Sequence, residues 1–196
     1  KEALANLNNA LKKAKQLAPE GDITAEIMRR VADVHYLLND TRRAGKMIDE
    51  GLVVANNCGE FYEIGYFHRT RGLCALRGGD VDAAIEGLDQ SVEMFAKYGN
   101  PFEQHRSQQR LGRIYLKKND QESFLKAKRM LTETVVGFHK LEEPADQILS
   151  QLLLATVEDK LGNLDDALLA LYEATRLAEE ERSAKFLHVL QAMRGR

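Results

Sequence analysis

Five histidines, two cysteines and a few paired carboxylates are the side chains best able to carry chemistry, and none stands at a chemical spacing. His35, His68, His105, His139 and His188 are scattered along the chain. No two lie four residues apart on one helix, and none sits in the Glu-containing pattern of a zinc protease helix. His35 falls at a packing position. Cys58 and Cys74 lack metal-ligand spacing and fit a reducing compartment better than a disulfide framework. Cys74 reads as a buried structural thiol with no general base in register. Gly78-Gly79 is a turn, because no Gly-Lys-Ser/Thr follows it as a phosphate cradle requires. Asp165-Asp166 lies at a helix start, where capping accounts for it. The expectation is no catalytic residue, no metal, no cofactor and no enzyme.

Charge narrows the partners. The 196 residues hold 28 basic and 30 acidic side chains, a formal net charge of −2. General attraction to nucleic acid or to an anionic membrane is not expected from such a balance. Apolar runs such as Leu152–Ala155 are short, so no membrane span is expected. No signal-peptide pattern opens the chain, and a cytoplasmic setting is the expectation.

The elements that must position any site come in copies. Gly72 sits inside an apolar-periodic run, Gly79-Asp80 breaks the pattern, and Ala84, Leu88 and Ser91 recur at helical spacing. The arrangement returns at Asn39-Asp40 with Ala44, Ile48 and Gly51, at Asn119-Asp120 with Ala127, Leu131 and Thr134, and at Gly162-Asn163 with Ala167, Leu171 and Ala174. A marker alanine falls at 3, 44, 84, 127 and 167, a period of 40 to 43 residues. Each period holds two helices, with no strand alternation. The prediction is one all-α array over 1–196: a half unit at 2–18, hairpins at 22–58, 60–98, 101–141 and 145–182, and a half unit at 183–196. Asp22 or Thr24 is expected to cap the second helix. The unpartnered first and last helices suggest a fragment of a longer protein, whose apolar ends could pair two copies.

A small residue, a bulky group three on, then Gly/Asn-Asp, then Ala, Leu and Ala/Ser resembles the tetratricopeptide repeat. Gly112-Arg-Ile-Tyr115, Gly79-Asp80 with Ala84, and Ala167 with Ala174 are the best matches. The repeat is longer than the usual one of about 34 residues. His68 stands where an aromatic is usual near the first-helix start, and three residues are inserted before Ala127. The long form is similar to repeats of bacterial signal-transduction ATPases, transcription regulators and adaptor proteins. The resemblance implies a right-handed α-α superhelix whose first helices line a concave groove that binds partner segments.

Carried over by register, the groove positions include Arg29, Tyr36, Tyr66, Arg69, Arg77, Arg106, Gln109, Arg113 and Lys117, with the acids Glu26, Asp33 and Asp159 on the same strip. Arginine clusters suit carboxylates, since the planar guanidinium holds two oxygens at once. Two readings stand: a groove for an acidic or C-terminal-carboxylate protein segment, or solvated charges paired with Glu60, Glu63 and Glu103. The expected function is a protein-interaction or scaffold module of a larger cytoplasmic regulator. The alternative is a ligand- or peptide-sensing regulatory domain.

Overall fold

The structure, a computed structural model, describes residues 2–183 together with Phe186, His188 and Leu190. Among these residues the regular structure is helical: α1 (Glu2–Leu17), α2 (Asp22–Leu37), α3 (Thr41–Cys58), α4 (Phe61–Gly78), α5 (Val81–Lys97), α6 (Pro101–Lys118), α7 (Gln121–Lys140), α8 (Pro144–Leu161) and α9 (Leu164–Glu180). The chain forms two compact units, Lys1–Asn100 and Pro101–Arg196. The first contains α1 to α5 and the second α6 to α9.

The hairpin turns follow from the residues at them. Asn39, Gly79 and Asn119 adopt φ of 64°, 89° and 57°, a left-handed backbone open mainly to Gly and Asn. The aspartate after each is the N-cap of the following helix. Asp40 accepts from the backbone N–H of Arg43 at 3.0 Å, Asp80 from that of Ala83 at 3.0 Å, and Asp120 from that of Ser123 at 2.9 Å. This satisfies a donor that the helix start leaves orphaned. The fourth turn differs. Gly162 supplies the positive φ of 81°, but the Asn163 side chain donates to the Glu158 carboxylate at 2.8 Å. Pro144 occupies the first turn of α8, where its missing N–H costs nothing.

α2 begins differently from expectation. Gly21 is its N-cap, and Asp22 is the first helical residue. Thr24 points to the buried side, where its hydroxyl donates to the Ala18 carbonyl at 2.7 Å. The Ala18 carbonyl, which also accepts from the Gly21 N–H at 3.1 Å, takes the hydroxyl on its second lone pair.

Each hairpin closes on its small residues. Ala44, Ala84 and Ala127 are completely buried, and Ala167 is 6% exposed. Ala3, the first member of the series, is exposed. In the first unit Met28, Val31, Ile48, Ile64 and Phe67 form the core, and Phe67 lies across Gly51. In the second, Phe124, Ala127, Leu131 and Val157 form one cluster. Ile148, Leu152, Ala174 and Ala178 form another, with Leu190 and Phe186 packed on it.

Beyond its own partner, α2 touches α4 in the first unit and α6 touches α8 in the second. The first helices of successive hairpins therefore share one side of each unit. Gly45, in α3, has open space where a side chain would begin. Gly45→Ala should stabilise the first unit by about 1 kcal/mol, by restricting the unfolded chain, and a urea midpoint measurement would register the gain.

Candidate partner-binding faces

The α2–α4 face of the first unit holds a charge network laid over aromatic rings. Arg29 donates from Nε to Glu63 at 2.6 Å and from a terminal nitrogen to Asp33 at 3.0 Å. Asp33 also accepts from the Thr70 hydroxyl at 2.6 Å. The Arg29 guanidinium lies 4.6 Å from the Tyr66 ring centre and that of Arg69 lies 4.9 Å from it. Tyr66 in turn packs edge-on against Phe95 at 5.0 Å. At the other end, Arg77 stacks 4.0 Å over Tyr36 and donates to the Tyr36 carbonyl.

Burial sets the electrostatics of the central pair, since the Arg29 and Glu63 side chains are each only 13% exposed. Burial would lower the Arg29 pKa, but Glu63 and Asp33 outweigh it, and the guanidinium is held above its ordinary value. Burial pushes the Glu63 carboxyl up, and Arg29 pulls it only partly back.

The α6–α8 face of the second unit is arranged differently. Gln109 is turned inward and buried. Its amide donates to the Ser150 hydroxyl at 2.8 Å and to the Asp146 carbonyl at 3.0 Å, so it joins α6 to α8. Arg106 lies 3.8 Å from Glu103 and 3.9 Å from Asp146, with its guanidinium 5.4 Å from the Phe102 ring centre. Arg113 and Lys117 are exposed. Arg110 belongs to the same stripe, although register with the repeat pattern did not select it. Residues 106, 110, 113 and 117 follow helical spacing of four, three and four, which was legible in the sequence. Glu63 and Glu103 do partner strip arginines, while Glu60 stands at the N-cap of α4. The contributions of Glu63, Thr70, Asp146 and Ser150 depend on neighbouring helices being paired, and no local spacing announces them.

His68, on α4, has Nδ1 buried without a partner. Burial, and then the charge of Arg71, lowers its pKa, while Gln90 opposes the shift. A histidine kept neutral in the fold protonates more readily in the unfolded chain. Its contribution is therefore present above about pH 6.5 and falls away as pH drops below that value. The first unit should lose this contribution as pH falls below about 6.5, and His68→Phe should flatten that part of the pH–stability curve.

Both cysteines are half-buried and pack on the first core. Burial raises the Cys74 thiol, keeping it protonated and unreactive. Among the described residues no three His, Cys, Asp or Glu side chains gather as a metal site. None of the described helices is long and apolar enough to cross a membrane.

Solved structures place this geometry in a fold class. The nearly identical TPR-like repeats of a Podospora anserina protein, named for kinesin light chain, superpose with a TM-score of 0.70 at 20% identity. That match covers 93% of this chain and 88% of the other. Aspartyl phosphate phosphatase F from Bacillus subtilis gives 0.78 at 14% identity over 85% of this chain and 43% of its own. A Pyrococcus horikoshii signal-transduction ATPase of the STAND class, with a tetratricopeptide repeat sensor, gives 0.78 at 16% identity over 92% of this chain and 28% of its own. The present chain thus spans less than half the length of those last two proteins. No protein-family model matches the sequence, and no curated protein does. The fold is the tetratricopeptide-like α-α solenoid, built from hairpins of about 40 residues rather than about 34.

Proposed function

We propose that the chain is a protein-recognition module of a larger cytoplasmic regulator, and that it binds a carboxylate-bearing partner segment along a first-helix face. The observation that carries this reading is the α6 stripe. Arg113 and Lys117 stand one turn apart, exposed. Like charges at that spacing cost a helix a few tenths of a kcal/mol. Folding does not require them there, whereas an acidic ligand would use both. Arg106 and Arg110 extend the same stripe along α6.

In the first unit Arg29 already serves Glu63 and Asp33, which makes it a support for Tyr66 rather than a ligand-binding group. Stacked guanidinium groups such as that of Arg77 on Tyr36 are held in place with little further loss of side-chain freedom. No catalytic step is assigned to either face.

Calorimetry against a set of acidic peptides with free C-terminal carboxylates tests the reading. The double variant Arg113→Glu, Lys117→Glu should weaken binding at least about tenfold while leaving the melting curve in place, since exposed charges contribute little to stability. Unchanged affinity would remove α6 from the binding surface.

A second reading follows from the tetratricopeptide sensor of the Pyrococcus horikoshii ATPase. The module would then report a small ligand or peptide to neighbouring domains. Titration with metabolites instead of peptides separates the two.

A further inference from the structure

We infer that the groove bounded by α7, α8 and α9 binds a guanidinium group carried on an aliphatic stem, as on an arginine side chain. It lies in the second unit and shares no residue with the α6 stripe. The groove encloses about 400 Å³. Gln151, Leu154 and Glu158 line it from α8, Leu169 and Glu173 from α9, and Lys128 from α7. The described residues of the segment after α9 pack elsewhere. Phe186 and Leu190 lie with Ile148, Leu152, Ala174 and Ala178, none of which lines this groove.

Gln151 is the residue that points to a ligand. It is only 9% exposed, and among the described residues no hydrogen bond reaches its side-chain amide. A buried amide left without a partner is costly to the fold. The first unit shows the same position satisfied. Gln151 stands four residues before Ala155, as His68 stands four before Gly72, and Glu173 stands six after Ala167, as Gln90 stands six after Ala84. His68 and Gln90 are joined by a side-chain hydrogen bond. Glu173 instead accepts from Arg176 at 3.0 Å, and Gln151 faces the groove.

Charge selects the occupant. Three carboxylates, Glu158, Asp166 and Glu173, line the groove with one amine, Lys128, which lies 2.8 Å from Glu158 and 3.9 Å from Asp166. With Arg176 counted beside Glu173, these acids still outnumber these cations by one, so a single further positive charge balances the set. Leu154 is half-buried and Leu169 is 59% exposed, which gives an aliphatic stem an apolar surface to lie on. A guanidinium donates through a rigid fork. One such head can serve the Gln151 oxygen and a neighbouring carboxylate together, and it is more weakly hydrated than an ammonium.

The experiment is an NMR titration of the isotope-labelled 196-residue protein with an acetylated, amidated peptide, Gly-Gly-Arg-Gly-Gly, and with its citrulline counterpart, which keeps the shape and loses the charge. The arginine peptide should move the Gln151 side-chain amide signal saturably. It should bind at least about tenfold more tightly than the citrulline peptide, the gap between charge-assisted and neutral hydrogen bonds. Gln151→Leu should cost at least about tenfold in affinity and yet raise the melting midpoint, because it removes an unpaired buried amide. Asp166→Lys should weaken binding by about tenfold through like charge. Arg113→Glu with Lys117→Glu should leave it unchanged, which separates this groove from the carboxylate-binding stripe. Acetylagmatine, the same cation without a peptide backbone, distinguishes the source. Tighter binding of the peptide supports a partner's arginine, and equal binding supports a free small cation at the same site. Equal affinity for the arginine and citrulline peptides, unchanged affinity in Gln151→Leu, or a lowered midpoint in that variant overturns the proposal.

Discussion

Gly87→Ala is expected to cost the first unit about 3 kcal/mol, although it adds a single methyl group. A Cβ at Gly87 would stand 2.8 Å from the Gly72 backbone nitrogen, 2.9 Å from its Cα and 3.0 Å from the His68 carbonyl. All three are backbone atoms of α4, so no side chain can rotate away. Gly72 is constrained in return, since its Cβ would meet the Ala84 carbonyl at 2.8 Å. The two helices cross at glycines because the interaxial distance is set by what lies between them. Relief requires α4 and α5 to separate along their whole contact, which places the cost at or above the upper end of ordinary overpacking. For a unit of about 100 residues that amounts to more than about 10 °C in the melting midpoint. Gly78→Ala is the control. It has open space at its Cβ and should be neutral or slightly stabilising. A melting curve for Gly87→Ala within a degree or two of the parent's would contradict the close crossing.

The second large effect concerns Arg29. Arg29→Ala should destabilise the first unit by about 3 kcal/mol, because it strands Glu63 in a site where the acid is only 13% exposed and removes one of the two cations beside Tyr66. The loss should depend on pH. Burial already pushes the Glu63 carboxyl above its ordinary value, and without Arg29 the shift grows. A carboxyl whose folded pKa exceeds its unfolded pKa binds protons more readily in the fold. The variant therefore regains stability as pH falls from the folded pKa towards the ordinary value of 4.5. Replacing both partners with Arg29→Met and Glu63→Leu should recover most of the loss, as buried pairs exchanged for packed apolar groups do. Equilibrium denaturation of the parent, Arg29→Met, Glu63→Leu and the double variant forms the double-mutant cycle. A coupling energy near zero would show the pair to be incidental.

Much of this molecule is local in origin and was legible for that reason. Asp40, Asp80 and Asp120 cap helices through bonds spanning three residues, and Asn39, Gly79 and Asn119 turn the chain at single φ angles. Such features need no distant partner to be recognised. The repeated Ala at 44, 84, 127 and 167 marks the hairpin crossings because only a small side chain fits there. Positive φ at Glu142 and Arg182 was not legible, since neither residue favours the left-handed region.

The candidate faces divide along the same line. Arg113 and Lys117 are exposed positions of a solvent-facing stripe, which helical spacing alone implies. Arg29, Arg77 and Gln109 lie on the same predicted strip, yet tertiary contacts tie each of them: Arg29 to Glu63, Arg77 to Tyr36 and Gln109 to Ser150, 34 to 41 residues away. The sequence by itself determined the helices, their period and their turns, because backbone geometry and capping act over three or four residues. Only the tertiary structure decided which cations remain open to a partner, because that depends on which acid or carbonyl the neighbouring helix brings within about 3 Å.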